Sequence, residues 1–260
     1  MTDGQKPDLR GVFLRIGLVL LVIAVAGSGV WLLRSASEPE QSPLEVPAAS
    51  VPVAHVTPGA VAPPQPQAGA VGEDPLRTWA DRVAGIVDVP ARALMAYGNA
   101  ELVLRATQPG CHISWATIAG IGRVESDHGR FGGAQLREDG RPSRPIIGVP
   151  LDGSEGVRAI GDTDDGRYDG DAQVDRAVGP MQFIPSTWRK WASDANLDGV
   201  GDPQQIDDAA LAAGRYLCAG GRDLATPKDW WAAVFSYNNS VPYGQKVFGL
   251  ADDYARAAAG

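Results

Sequence analysis

The feature that most restricts what this chain can fold into is an uncharged apolar run near its N-terminus. The run covers residues 16–33 and reads IGLVLLVIAVAGSGVWLL. Its length is close to that of a helix that crosses about 30 Å of hydrocarbon. A segment of this kind enters a membrane or is removed during export, so only the remainder of the chain is left to form a water-exposed fold.

The charges around the run predict its orientation. Three basic residues precede it, whereas the single arginine that follows is soon joined by acidic residues. Because positive charge stays on the cytoplasmic side, we predict a cytoplasmic tail over 1–15 and a transmembrane signal anchor over 16–34. Ala24-Val25-Ala26 also offers the small-residue pattern of a cleaved signal peptide. Both alternatives place the rest of the chain outside the cytoplasm.

Residues 35–74 form a segment rich in proline, alanine, valine and serine, without any aromatic residue. A segment of this composition cannot bury enough apolar surface to fold, and its prolines keep it extended. We predict a disordered linker that holds the following domain away from the membrane. His55 lies within it and is interpreted as a solvated residue rather than a ligand.

Charge and cysteine content narrow the classes of function. The formal net charge is −8 and there is no long basic run, which argues against a nucleic-acid partner. In an exported chain the two cysteines, Cys111 and Cys218, are expected to form a disulfide, although two buried free thiols remain an alternative. The bridge would contribute about 4–5 kcal/mol in the chain-entropy treatment of a loop this long.

Helical periodicity begins near residue 75 and predicts a mainly α domain over 75–260. Strand patterns are sparse, and a stretch rich in glycine, aspartate and proline over about 129–178 has no periodicity. A loop of that length in a compact domain usually carries function. Predicted helices cover about 76–87, 91–107, 113–125, 185–193, 207–219, 226–238 and 243–258.

The segment GIGRVESDHG over residues 120–129 places Glu125 at the C-terminal end of an apolar helix. Carboxylates are favoured at helix N-termini instead, and local conflicts of this kind often mark function. Partial burial would raise the pKa of the Glu125 carboxyl, which suits a general acid at neutral pH. The alternative is a surface glutamate paired with Arg123 or Arg130.

Two further segments have side chains suited to carbohydrate. In GPMQFIPSTW, residues 179–188, Gln182 has an amide for sugar hydroxyls, and Met181 and Phe183 are predicted to line a cleft. The alternative is a tight loop that packs these apolar side chains into the core. The second segment is SYNNSVPY at a helix end, where ring faces and amides suggest binding by Tyr237, Asn238 and Tyr243; there the alternative is a helix cap by Asn239.

The segment DANLDGVGD over 194–202 matches the first half of a calcium loop, with oxygens at alternate positions and a glycine turn. Gln205 stands where the loop usually has a glutamate. An Asp- and Asn-rich turn without metal is the alternative. The Asp-rich run 162–171 is interpreted as a solvated loop and assigned no ion. The predicted Ca²⁺ ligands are Asp194, Asn196, Asp198, the carbonyl of Val200 and Asp208.

In this order, GRVES, GPMQFIPSTW, DANLDG and SYNNSVPY resemble the lytic murein transglycosylases. The likeness is to the membrane-bound lytic transglycosylase B type in its actinobacterial form, and it covers about residues 76–258. It implies a lysozyme-like α-helical fold that cleaves the β-1,4 bond between N-acetylmuramic acid and N-acetylglucosamine. It also implies a 1,6-anhydro product, a possible role for structural Ca²⁺ and no organic cofactor.

By the same resemblance, Glu125 protonates the leaving oxygen and then acts as base for the C6 hydroxyl that attacks C1. Gln182 and Phe183 would line the cleft near the cut, and Tyr237 and Asn238 would hold the glycan. The expected partners are peptidoglycan strands and the cytoplasmic membrane, with the protein a monomer.

Three alternatives stay open at this point. A lysozyme-like hydrolase needs a second carboxylate, which Asp127 or the Asp-rich loop could supply. A glycan-binding envelope protein without catalysis is the second alternative, and a Ca²⁺-dependent adhesion module is the third.

Overall fold

The computed structural model describes residues 74–259. The predicted cytoplasmic tail, signal anchor and linker, apart from the linker's last residue, lie outside the described residues. Among the helices within 74–259, none combines the length and apolarity that a membrane crossing requires.

Seven α-helices make up about half of the described part and are its main regular structure, which confirms the prediction of a mainly α domain. Their bounds lie within a few residues of the predicted ones, because strong start signals precede several of them. Asp74, Ser114 and Thr226, for example, each accept a hydrogen bond from a backbone N–H of the first turn that follows. The helices are α1 Pro75–Ala84, α2 Ala91–Thr107, α3 Trp115–Ser126, α4 Pro185–Trp191, α5 Ile206–Leu217, α6 Pro227–Tyr237 and α7 Val241–Ala259.

Helix α3 is buried at the centre of the domain, where it packs mainly against α7 and α2. A Cβ atom on Gly120 would lie 2.9 Å from the carbonyl oxygen of Val247, so glycine is what lets α3 and α7 approach so closely. From α6, the indole Nε1 of Trp230 donates to the Thr117 hydroxyl at 3.1 Å. These contacts fix the position of α3, and with it the residue at its last turn, Glu125.

The predicted disulfide is confirmed. Cys111 and Cys218 are bonded, with 5.4 Å between their Cα atoms and 107 positions between them in sequence. The bond joins the segment before α3 to the residue that ends α5. Next to it, the N–H of Leu224 donates to the carbonyl of Cys111 at 2.8 Å.

The stretch predicted to lack periodicity contains a two-stranded antiparallel sheet, formed by β1 Ile147–Pro150 and β2 Arg176–Val178. In the rest of this stretch, side-chain carboxylates accept many of the backbone hydrogen bonds. Asp162 accepts the backbone N–H groups of three following residues, and buried Asp175 accepts both the N–H and the hydroxyl of Thr163. Aspartates in this stretch therefore replace the ladder hydrogen bonds of regular structure.

Candidate active site

Glu125 lies on the last turn of α3, at a point where the helix end is attached to the loop that precedes α4. The Ser126 hydroxyl donates to the carbonyl of Pro180 at 2.6 Å. Asp127 ends the helix in the left-handed region, with φ of 52°. Its carboxylate pairs with Arg123 at 2.5 Å and with Arg130 at 2.9 Å. The two arginines that could have neutralised Glu125 are thus paired with Asp127.

Glu125 lines a cleft of about 330 Å³, which is within the size range of small-ligand sites. Among the described residues that line it, Glu125 is the single carboxyl group and Arg158 the single cation. The remaining lining residues are apolar, hydroxyl-bearing or amide side chains: Leu151, Ala177, Gln182, Phe183, Ile184, Thr187, Tyr216, Ser236, Tyr237 and Asn238.

Burial raises the pKa of Glu125 to about 7, against the smaller lowering effect of a hydrogen bond from Tyr243. The Tyr243 hydroxyl, on the first turn of α7, donates to Glu125 Oε1 at 2.6 Å. Burial also raises the pKa of Tyr243, so this hydroxyl stays protonated and remains a donor. Tyr243 thus contacts the carboxyl group itself, and its predicted role in substrate binding stays a prediction.

The GPMQF segment, residues 179–183, bends beneath the cleft. Of its three residues that were predicted to line the cleft, two do so. Gln182 has φ of 48° and donates its side-chain Nε2–H to the carbonyl of Gly179 at 3.0 Å. Phe183 also lines the cleft. Met181 is the correction: its side chain has no exposed surface and packs in the core, so it supports the cleft from below instead of lining it.

Tyr237 ends α6 at the cleft, and Asn238 follows it there. The Tyr237 hydroxyl donates to the carbonyl of Met181 at 2.7 Å, which ties α6 to the GPMQF segment. The ring of Tyr237 packs edge-on against Phe183 at 6.0 Å and against Tyr216 at 5.6 Å between centroids. Asn238 is exposed to the cleft.

Sequence reasoning missed Tyr216 and Arg158 as lining residues. Tyr216 belongs to the regular pattern of α5, whose apolar face gives no sign that one end reaches a cleft. Arg158 lies in the stretch without periodicity, where position in sequence does not predict position in space. Neither residue stands in a motif that would have found it.

The DANLDG segment is a turn whose side-chain oxygens accept backbone N–H groups of the same turn. The N–H of Asp198 donates to Asp194 Oδ1 at 3.1 Å and to Asn196 Oδ1 at 3.0 Å, so these two oxygens lie close together. Buried Asp208 accepts backbone N–H groups of Ala195, Asn196 and Asp202. Asp208 therefore holds the loop through hydrogen bonds to its backbone, and its predicted role as a Ca²⁺ ligand stays a prediction. Carboxylate and amide oxygens in this arrangement suit a hard cation.

A second acidic group combines two aspartates of the run 162–171, for which the sequence predicts a solvated loop without an ion, with buried Asp175. Asp162, Asp164 and Asp175 each bring one carboxylate oxygen within 4.8 Å of the others. None of the three lines the cleft at Glu125. In the described part of the chain, this run therefore supplies no second carboxylate to the cleft.

Replacing Tyr243 with phenylalanine tests the link between Tyr243 and Glu125. The variant loses a hydrogen bond that favours the ionised carboxylate, so the pKa of Glu125 rises further. If activity needs Glu125 protonated, we expect the alkaline limb of the pH–rate profile to move up by about one unit. Tyr216→Phe is the matched control, because the Tyr216 hydroxyl donates to the carbonyl of Ser236 and not to Glu125. An unmoved limb in Tyr243→Phe would contradict this coupling.

Comparisons with known proteins give limited similarity. No family model matches the chain, and no curated protein matches it. The solved structure of the Escherichia coli lytic transglycosylase Slt35 in complex with bulgecin A is 14% identical, with a TM-score of 0.38, over 75% of this chain and 82% of that one. The Slt35 structure in complex with calcium is also 14% identical at a TM-score of 0.38, over 70% and 80%. A likeness at this level decides neither fold nor function, which therefore depend on the geometry of the site.

Proposed function

We propose that this protein is a peptidoglycan lytic transglycosylase with a lysozyme-like α-helical domain, of the B type that its motifs resemble. The observation that carries the proposal is the state of Glu125. Glu125 is a partly buried carboxyl group in a cleft, and its pKa is raised to about 7. One of its oxygens accepts a hydrogen bond from the Tyr243 hydroxyl. A carboxyl group with a pKa near ambient pH can give up a proton and take one back.

In the first step, protonated Glu125 donates its proton to the glycosidic oxygen as the bond from that oxygen to C1 of the muramic residue breaks. In the second step, the resulting carboxylate removes the proton of the C6 hydroxyl while that oxygen bonds to C1. The products are a 1,6-anhydro end and a free sugar hydroxyl, and Glu125 regains its proton. No water is consumed, so the reaction is an intramolecular transfer of C1 to the C6 oxygen and not a hydrolysis.

The lack of a second carboxylate supports this route. Hydrolytic glycosidases commonly set two carboxyl groups about 5–9.5 Å apart, one of which attacks C1 or activates water. Among the lining residues within 74–259 there is only Glu125, and Asp127 is engaged with Arg123 and Arg130. The substrate's own hydroxyl is then the available nucleophile.

The other lining residues fit a sugar. The half-buried rings of Tyr237 and Tyr216, packed against buried Phe183, offer apolar surface for pyranose rings, and the exposed amide of Asn238 offers a donor and an acceptor for hydroxyl or acetamido groups. Tyr243 orients Glu125 from the side of α7. We further propose that the domain works outside the cytoplasmic membrane, held there by the N-terminal anchor, where peptidoglycan is present.

The products test the proposal directly. Purified protein is incubated with peptidoglycan, and the masses of the released fragments are measured by mass spectrometry before and after borohydride reduction. We expect fragments lighter than hydrolysis products by one water and unchanged by borohydride, because an anhydro end has no free aldehyde. Reducing ends that take up hydrogen would identify a hydrolase instead. Binding without any release of fragments would identify a glycan-binding protein.

We also propose that the DANLDG segment binds Ca²⁺ as a structural ion through Asp194, Asn196, Asp198, the Val200 carbonyl and Asp208. An ion there would neutralise the acidic side chains of the segment and hold the loop against α5. We expect Ca²⁺ at a hundred times its Kd to stabilise the protein by about 2.7 kcal/mol, measured as a rise in Tm. Asp198→Asn should remove most of this rise, whereas Asp165→Asn, an exposed change in the other acidic run, should keep it. An equal rise in both variants would contradict this site.

A further inference from the structure

The cleft beside Glu125 contains a positive charge for which the proposed mechanism has no use. Arg158 lines the cleft together with Glu125, and its side chain is exposed. Within residues 74–259, its guanidinium has neither an ion-pair partner nor a hydrogen-bond partner. By contrast, Arg123 and Arg176 are each paired with a nearby aspartate. Arg158 therefore has all five of its N–H donors available to a molecule in the cleft.

The position of Arg158 is set by a short hairpin. The N–H of Ile160 donates to the carbonyl of Leu151 at 2.8 Å, and Asp152 pairs with Ala159 across the stem. The base of the hairpin forms two hydrogen bonds with the backbone of buried Asp175. The N–H of Leu151 donates to the carbonyl of Asp175 at 3.0 Å, and the N–H of Asp175 donates to the carbonyl of Ile160 at 3.1 Å. The backbone that carries Arg158 is thus attached to the strand end from which β2 begins.

Arg158 is not the counterion of Glu125. Within residues 74–259, the Glu125 carboxyl accepts a hydrogen bond from Tyr243 and forms no ion pair with Arg158. When Glu125 is protonated, as the first catalytic step requires, Arg158 becomes the one net charge among the described lining residues. The cleft is then positive and open to an anion. A guanidinium matches a carboxylate in particular, because two parallel N–H groups can bond its two oxygens.

We propose that Arg158 is a specificity-determining residue that binds a carboxylate on the glycan strand and makes the cleft selective for anionic glycans. This inference rests on the proposed function, since it assigns the class of strand that the same cleft accepts. Peptidoglycan offers such a carboxylate from two sources. One is the lactyl group of a muramic residue that has lost its peptide, and the other is the peptide stem.

Binding measurements in a Glu125→Gln background separate recognition from cleavage. The ligands are three strands of equal length: muramic strands with peptide stems, the same strands freed of stems, and chitooligosaccharides, which have no carboxylate. We expect Arg158→Gln to raise Kd about tenfold for carboxylate-bearing strands and to leave Kd for chitooligosaccharides unchanged. An effect on stem-free strands identifies the lactyl carboxylate, and an effect confined to stem-bearing strands identifies the stem.

The matched control is Lys228→Gln, which removes one exposed positive charge from the first turn of α6, the end opposite Tyr237. It should change none of the three Kd values. The inference is overturned if Arg158→Gln changes no Kd, or changes all three alike. Failure of the proposed function is a separate result: the protein with Glu125 intact would then leave every strand uncut, whatever Arg158 does to binding.

Discussion

Glu125→Gln is expected to lower kcat on peptidoglycan by at least about 10³-fold. Positioned general acid or base catalysis is worth about 10²–10⁴-fold, and here one carboxyl group performs both transfers. The glutamine amide keeps the shape of the side chain and can still accept from Tyr243, but it cannot donate a proton to the glycosidic oxygen. Release of soluble fragments from purified peptidoglycan measures the effect.

Glu138→Gln is the control, because Glu138 is an exposed glutamate that pairs with Arg77 and does not line the cleft. It should keep full activity. If Glu125→Gln retained more than about a tenth of the activity, Glu125 would not be the catalytic acid, and the proposed mechanism would have to be abandoned.

The same substitution has a second effect, on stability. Folding raises the pKa of Glu125 from an ordinary value near 4.5 to about 7. The folded state therefore favours the protonated form, and stability is lost as pH rises between these two values. Glu125→Gln cannot ionise, so its free energy of unfolding should exceed that of the native protein by an amount that grows over this interval, to about 2–3 kcal/mol. Urea unfolding at pH 4.5 and pH 8 measures the difference.

Much of the helical framework follows from the sequence because its signals are local. Asp74, Ser114 and Thr226 cap helices whose apolar periodicity is clear, and the structure places these helices near their predicted bounds. The pairing of Cys111 with Cys218 follows from there being only two cysteines. The position of Glu125 at the end of an apolar helix was likewise visible, although its environment was not.

What sequence reasoning could not supply is long-range geometry. Tyr243 donates a hydrogen bond to Glu125 across 118 positions in sequence. Nothing in the SYNNSVPY segment distinguishes a residue that binds glycan from one that donates a hydrogen bond to the Glu125 carboxyl group. Met181 directly precedes the cleft-lining residues Gln182 and Phe183 but faces the core, because the backbone turns at Gln182 with positive φ. Arg158 depends on hydrogen bonds to Asp175, which local patterns do not encode.

Gly179→Ala is the second large expected effect, because this glycine meets two constraints at once. Its φ is +78°, where a side chain is strained, and a Cβ atom would lie 1.7 Å from the backbone carbonyl oxygen of Pro203. The N–H of Gly179 donates to the carbonyl of Ile146 at 2.9 Å, and its own carbonyl accepts from Gln182. Relief of the clash would therefore move the whole GPMQF segment.

We expect Gly179→Ala to lose about 3 kcal/mol of stability, within the range that left-handed strain of about 1–2 kcal/mol and overpacking of about 1–3 kcal/mol give together. This corresponds to a fall in Tm of about 6–12 °C. Activity should fall as well, by about 10²-fold, since Phe183 and the Met181 carbonyl that holds Tyr237 move with the segment.

Gly220→Ala separates the two causes of the stability loss, left-handed strain and overpacking. Gly220 has a similar φ of +74°, but a Cβ atom there would meet nothing within 4 Å, so only the strain of about 1–2 kcal/mol remains and activity should be unchanged. The difference in unfolding free energy between the two variants then measures the contact with Pro203 alone. Equal losses in both would show that the approach of Pro203 does not hold the GPMQF segment in place, and the position of Gln182 and Phe183 would need another cause.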